Sequence, residues 1–135
     1  MLIEINTLDP SPIYEQLRNQ IVLGIAGKKL APGEGLPSVR RLAADLGINF
    51  HTVNKAYAML CEEGYIVMDR RRGALVAQVM LKDETLVSAL SDKLTLSAAE
   101  AICHNMTESE YLTLCKECCG KAQGETKSPR RDNCV

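Results

Sequence analysis

Residues 36–76 read in order as a short helix, a three-residue break, a second helix and a basic hairpin, and this order constrains the fold more than any other feature of the chain. Ser38 stands where a hydroxyl can satisfy an orphan amide of a first helical turn. Val39, Leu42, Ala43 and Leu46 then follow at the i, i+3, i+4, i+7 spacing of one apolar face. Gly47 supplies the left-handed residue that ends the helix. Asn49 caps the next one, whose buried stripe is Val53, Ala56, Tyr57, Leu60 and Cys61. Two helices separated only by Gly47-Ile48-Asn49 must cross steeply, as in a helix-turn-helix. Gly64 closes the second helix. Tyr65-Ile66-Val67-Met68 and Ala74-Leu75-Val76-Ala77 are β-prone runs around the turn Asp69-Arg70-Arg71-Arg72-Gly73.

Charge distribution supports a nucleic-acid partner where the sum does not. The net charge is −1, but residues 36–82 carry seven Lys or Arg against four acids, and from Asp83 onward nine acids face six bases. At 135 residues the chain has room for one domain and a small appendage. No stretch reaches the ~18 apolar residues of a membrane span. Met1-Leu2-Ile3-Glu4-Ile5 lacks the charged and apolar regions of a signal peptide, so the expected location is cytoplasmic. Six cysteines are then expected as reduced thiols.

On either side of the motif the chain is helical. Residues 2–5 alternate and suit a short strand or an ordered arm. Ser11-Pro12 marks a helix start, with Ser11 as the cap and Pro12 as the first helical residue, and Ile13, Leu17, Ile21 and Ile25 form its stripe as far as Gly27. Residues 30–37 read as a turn-rich connector. A helix from Asp83 to about Asn105 carries Leu86, Val87, Leu90 and Leu94, with a break allowed at Thr95-Leu96-Ser97. Thr107-Glu108-Ser109-Glu110 fits a capping box for a last helix ending at Gly120.

Several strings resemble the N-terminal winged helix of the GntR family of bacterial transcription regulators: Pro12-Ile13-Tyr14-Glu15-Gln16-Leu17, the run from Leu30 to Ala43, Thr52-Val53-Asn54-Lys55-Ala56-Tyr57, and Leu60-Cys61-Glu62-Glu63-Gly64-Tyr65-Ile66. They occur in the family's order and spacing over roughly residues 10–78. The short two-helix tail and the run from Asn49 to Tyr57 are most similar to the YtrA subfamily. The resemblance implies a mainly α fold, an α+β winged helix-turn-helix over residues 1–79. A two-helix dimerisation extension over 80–120 and a disordered tail over 121–135 follow. Double-stranded operator DNA and a second copy of the chain are the implied partners, with repression of its own operon, one holding ABC transporter genes, as the role. The tail is too short for a separate effector domain, and the residues name no small-molecule effector. Carried over by position, the DNA-contacting sites fall on Arg40, on Asn49, Phe50, His51, Thr52 and Asn54, and on the wing tip. The chain departs from the family in three places. Phe50 and Asn54 stand where many members have arginine, Arg71 stands where the wing has glycine, and Ala74-Leu75-Val76 replaces Thr-Phe-Val.

The residues themselves support these roles. The start of a recognition helix enters the major groove, so residues 49–55, Lys55 included, are candidates for base edges. Asn54 can pair with adenine, Thr52 can meet a thymine methyl or a phosphate, and His51 can donate or accept. Asn49 serves as cap, base contact or both. Arg40 suits guanine or phosphate. Arg70, Arg71, Arg72 and Gly73 form a hairpin tip placed for phosphate or minor-groove contact, whereas Tyr57 belongs to the core. Leu86, Leu90, Leu94, Ile102 and Leu112 are the expected dimer surface, since two amphipathic helices cannot bury their faces alone.

Cys115, Cys118 and Cys119 share a helix face, and with Cys103 or His104 they offer a rival reading as a thiol- or metal-responsive switch. Against it, free cysteines pack as small apolar groups, and no second paired motif exists. No metal and no cofactor are therefore expected. No nucleophile stands beside His51 or His104, and no glycine loop cradles a phosphate, so no enzyme is expected either.

Overall fold

The computed structural model describes residues 3–124. Its elements run α1 (Ile13–Ala26), α2 (Val39–Leu46), α3 (Phe50–Glu62), β1 (Ile66–Asp69), β2 (Gly73–Val76), α4 (Glu84–Cys103) and α5 (Glu108–Ala122). The chain divides into two units between Met80 and Leu81.

In the first unit α1 and α2 pack against α3, and the hairpin closes the core. Leu17, Ile21, Leu30, Val53, Leu60, Ile66 and Val76 are its largest fully buried side chains. Ser38 Oγ accepts from the Arg41 amide at 3.1 Å, and Asn49 Oδ1 accepts from the His51 amide at 2.7 Å. Gly47 has φ 68°, so the break between α2 and α3 turns through the left-handed region that a side chain resists. Register in the hairpin runs from Ile66 opposite Val76 to Asp69 opposite Gly73; this pairing is the one implied by the two β-prone runs, with β1 starting one residue later than Tyr65 and β2 one residue earlier than Ala74.

Four features correct the sequence reading. Pro12, with ψ 147°, occupies the cap position of α1 in place of Ser11, and among the described residues no side chain caps that helix. Its extended ψ keeps proline outside the helix, while the Ser11 amide donates to Asp9 Oδ1 instead. The connector is more than a turn. Leu36 donates to the Ala74 carbonyl and Val76 to the Glu34 carbonyl, so residues 34–36 line the second edge of β2. α4 continues through Thr95-Leu96-Ser97, where Thr95 Oγ1 bonds back to the Ser91 carbonyl within the helix. α5 passes through Gly120 to Ala122, and the left-handed glycine beyond it is Gly124, φ 90°. Lys121 and Ala122 thus belong to α5, Gln123 and Gly124 turn the chain after it, and the remainder of the expected disordered tail, from Glu125, lies outside the described residues, as does Leu2.

The alternating start of the chain is an arm, not a strand. The Gln16 side chain accepts from the Asn6 amide and donates to the Asn6 and Ser11 carbonyls. One turn on, Gln20 bonds both the amide and the carbonyl of Glu4. Two glutamines a helical turn apart thereby satisfy an extended backbone as a neighbouring strand would.

Tyr57 joins α3 to the entrance of α2: its hydroxyl donates to the Pro37 carbonyl at 2.7 Å. Burial raises its pKa to about 12. The folded protein then holds the phenolic proton more tightly than the unfolded chain. The resulting stability is complete below pH ~10 and is lost as pH climbs toward ~12. Tyr57→Phe is expected to cost about 1 kcal/mol at neutral pH. It should also flatten the alkaline fall in stability between pH ~10 and ~12, read by urea unfolding across that range.

In the second unit Asp83 caps α4 and Thr107 with Glu110 forms a complete capping box on α5. Asn105, φ 65°, makes the turn, and the Tyr111 hydroxyl reaches back to the Leu94 carbonyl at 3.3 Å. No described residue of α4 or α5 is buried. No described helix is long and apolar enough to cross a membrane.

Candidate nucleic-acid interface

α3 has two distinct faces. Val53, Ala56, Tyr57 and Leu60 are buried, and their spacing leaves His51, Asn54, Lys55 and Ala58 on the exposed side. Of the residues expected to touch DNA, Arg40, Asn49, Phe50, His51, Asn54, Lys55, Arg70, Arg71, Arg72 and Gly73 are exposed, and Thr52 is half-buried. Asn49 fulfils its capping role through Oδ1, which leaves its amide NH₂ free to donate. Lys55 is already engaged, its ammonium 4.1 Å from the centre of the Tyr14 ring on α1. Sequence reading missed that contact because 41 residues separate the pair.

The hairpin tip is held by its own aspartate. Asp69 Oδ1 accepts from the Arg71 and Arg72 amides at 2.8 and 3.0 Å, and these bonds hold its carboxyl below the usual carboxylate range. Arg72 pairs loosely with the same carboxylate at 3.7 Å. Among the described residues no carboxylate pairs with Arg70 or Arg71, so these two carry the free charge of the wing. Gly73, φ 79°, allows β2 to leave the tip opposite Asp69. Arg41 is paired with Asp45 one turn along α2, at 3.8 Å.

The tail residues expected to pair two copies are exposed in the single chain: Leu86, Leu90, Leu94, Ile102 and Leu112 all lie open, Ile102 at 69%. On α5, Tyr111 and Cys115 are half-buried, whereas Leu112, Leu114, Cys118 and Cys119 are exposed. His104 Nδ1 lies 2.9 Å from the Glu100 carbonyl. Among the described residues no group of three His, Cys, Asp or Glu is placed to hold a metal ion.

A helix-turn-helix whose second helix has a polar outer face, flanked by a two-stranded wing with free arginines, defines a winged-helix DNA-binding protein. Comparison with known proteins gives the family. Residues 11–76 match the family model described as "Bacterial regulatory proteins, gntR family". The chain is 36% identical over 97 residues to the uncharacterized HTH-type transcriptional regulator YhcF of Bacillus subtilis, covering 72% of this chain and 77% of that one. Among solved structures it is similar to a transcriptional antiterminator from Listeria monocytogenes, with TM-score 0.86, 26% identity and coverage of 92% and 94%. YtrA from Sulfolobus acidocaldarius, a GntR-family transcription factor, matches with TM-score 0.54 and 35% identity over 88% of this chain and 97% of that one. The DNA-binding domain of AraR in complex with operator ORX1 matches with TM-score 0.51 and 26% identity, over 57% of this chain and 99% of the domain. The chain belongs to the GntR family and is a YtrA-like, DNA-binding transcriptional regulator rather than an enzyme.

Proposed function

We propose that the protein is a homodimeric repressor that binds a palindromic operator, reads it with residues 49–55 of each copy, and grips the flanking backbone with Arg70 and Arg71. The observation that carries this reading is the exposed stripe His51, Asn54, Lys55 on a helix whose other face is fully engaged in the core. The dimer rests on α4 and α5, which keep their leucines exposed and bury no described residue within one chain. A two-fold dimer presents its heads to half-sites about one helical turn apart. The likeness to YtrA, named a repressor in Bacillus subtilis, supports the sign of regulation. Its own operon, with ABC transporter genes, is the proposed target, and the cytoplasm the place of action.

Selection from a pool of random duplexes tests the reading directly. The expected outcome is enrichment of one inverted repeat, bound about a thousandfold or more tighter than random DNA at the same salt. Enrichment of no sequence, or of a single unrepeated half-site, overturns the palindromic dimer.

A further inference from the structure

The first turns of α2 and α3 meet at an aromatic ring. Arg40, second residue of α2, holds its guanidinium carbon 5.1 Å from the centre of the Phe50 ring, and Phe50 is the first residue of α3. The same ring meets His51 edge to face, with centroids 5.4 Å apart and planes at 74°. Phe50 is 38% exposed and lies outside the buried core cluster, so packing does not explain an aromatic residue at the tip of this helix. Among the described residues no carboxylate pairs with Arg40. A guanidinium held by a π face keeps its N–H donors available, whereas one held by a carboxylate does not.

We propose that Phe50 is a specificity-determining residue with two roles: it orients Arg40 toward guanine O6 and N7, and it meets the methyl group of the thymine beside that guanine. The proposal rests on α3 being the groove-facing helix. Arginine is the residue whose planar fork matches the guanine edge, and an apolar side chain is what a thymine methyl favours. A long side chain ordered before DNA arrives loses less freedom on binding. The ring does that ordering here, and its exposed surface remains for the neighbouring base. Arginine at position 50 would set a second cation beside Arg40 and dissolve the arrangement.

The test uses the full-length protein and the duplex it enriches from a random pool, which is expected to show a guanine next to a thymine in each half-site. Replacing that guanine by 7-deazaguanine should weaken wild-type binding about tenfold and leave Arg40→Ala unaffected. Deoxyuridine in place of the thymine, which removes only the methyl, should weaken the wild type about threefold and leave Phe50→Ala unaffected. Phe50→Leu keeps an apolar contact but lacks the π face. It should lower the preference for guanine over adenine about three- to tenfold, with non-specific affinity, salt slope and melting temperature unchanged. If the wild type selects an operator but Phe50→Leu discriminates guanine equally well, the orienting role is overturned. If the wild type binds deoxyuridine as tightly as thymine, the methyl contact is overturned. In both cases the operator reading stands. If the wild type enriches no sequence, the groove-facing reading falls and this proposal falls with it.

Discussion

Replacing Leu90 and Leu94 together by aspartate is expected to turn dimers into monomers and to weaken operator binding about a hundredfold or more. Both leucines are about half exposed in the single chain and lie four residues apart on α4, on one side of the helix. Fully burying a leucine stabilises by roughly 1.5–3 kcal/mol, and the two-fold axis doubles the count to four side chains per dimer. Carboxylates in the same place must either lose their hydration or lose their charge, and both outcomes oppose association. Once the copies separate, the second head no longer binds at the high effective concentration set by the first, a gain of about 10²–10⁴ in linked systems. Sedimentation velocity should move from twice the chain mass to 14.8 kDa. The melting of the first unit should stay in place, because no residue of α4 belongs to its buried cluster. A dimer that survives the double change would place the interface elsewhere.

How much of this was legible in the sequence depends on the range of the interaction. Ser38, Gly47, Asn49 and Thr107 act within four residues of themselves, through one capping bond or one backbone dihedral, and each behaves as the local pattern implies. The buried stripe of α3 was equally readable, since helical spacing alone separates Val53, Ala56, Tyr57 and Leu60 from His51 and Asn54. The stack of Arg40 on Phe50 was not. It joins two helices through their crossing angle, which no local spacing encodes. The same holds for Lys55 on Tyr14, and for residues 34–36 along β2, where a turn-rich composition conceals an edge set by distant backbone partners. Gly120 shows the limit from the other side. Glycine inside a helix costs only about 1 kcal/mol relative to alanine, so it ends a helix only where the next turn prefers the left-handed region. Lys121 and Ala122 continue α5, and Gly124 takes the positive φ instead.

Raising salt from 50 to 200 mM is expected to weaken operator binding about a thousandfold or more, and removing the wing charge should abolish much of that dependence. Each phosphate neutralised by a side chain adds about 0.9 to the slope of log affinity against log salt. A dimer placing Arg70 and Arg71 of both heads on phosphates, with one or two further cations on each head, makes six to eight such contacts. That number corresponds to a loss of about 10³–10⁴ over this range. Asp69 sharpens the expectation, because it pins the tip backbone and, among the described residues, pairs only with Arg72, leaving Arg70 and Arg71 to project from an ordered turn. Arg70→Gln with Arg71→Gln removes four contacts per dimer, so the slope should fall by about 3 to 4. The sequence enriched from a random pool should stay the same, since phosphate contacts position the protein while base contacts specify the site. Titrations at four or five salt concentrations, on the operator and on a scrambled duplex, separate these effects. An unchanged slope would mean that the wing does not touch the backbone. An unchanged slope together with an altered operator would mean that it reads bases, as a minor-groove arm does.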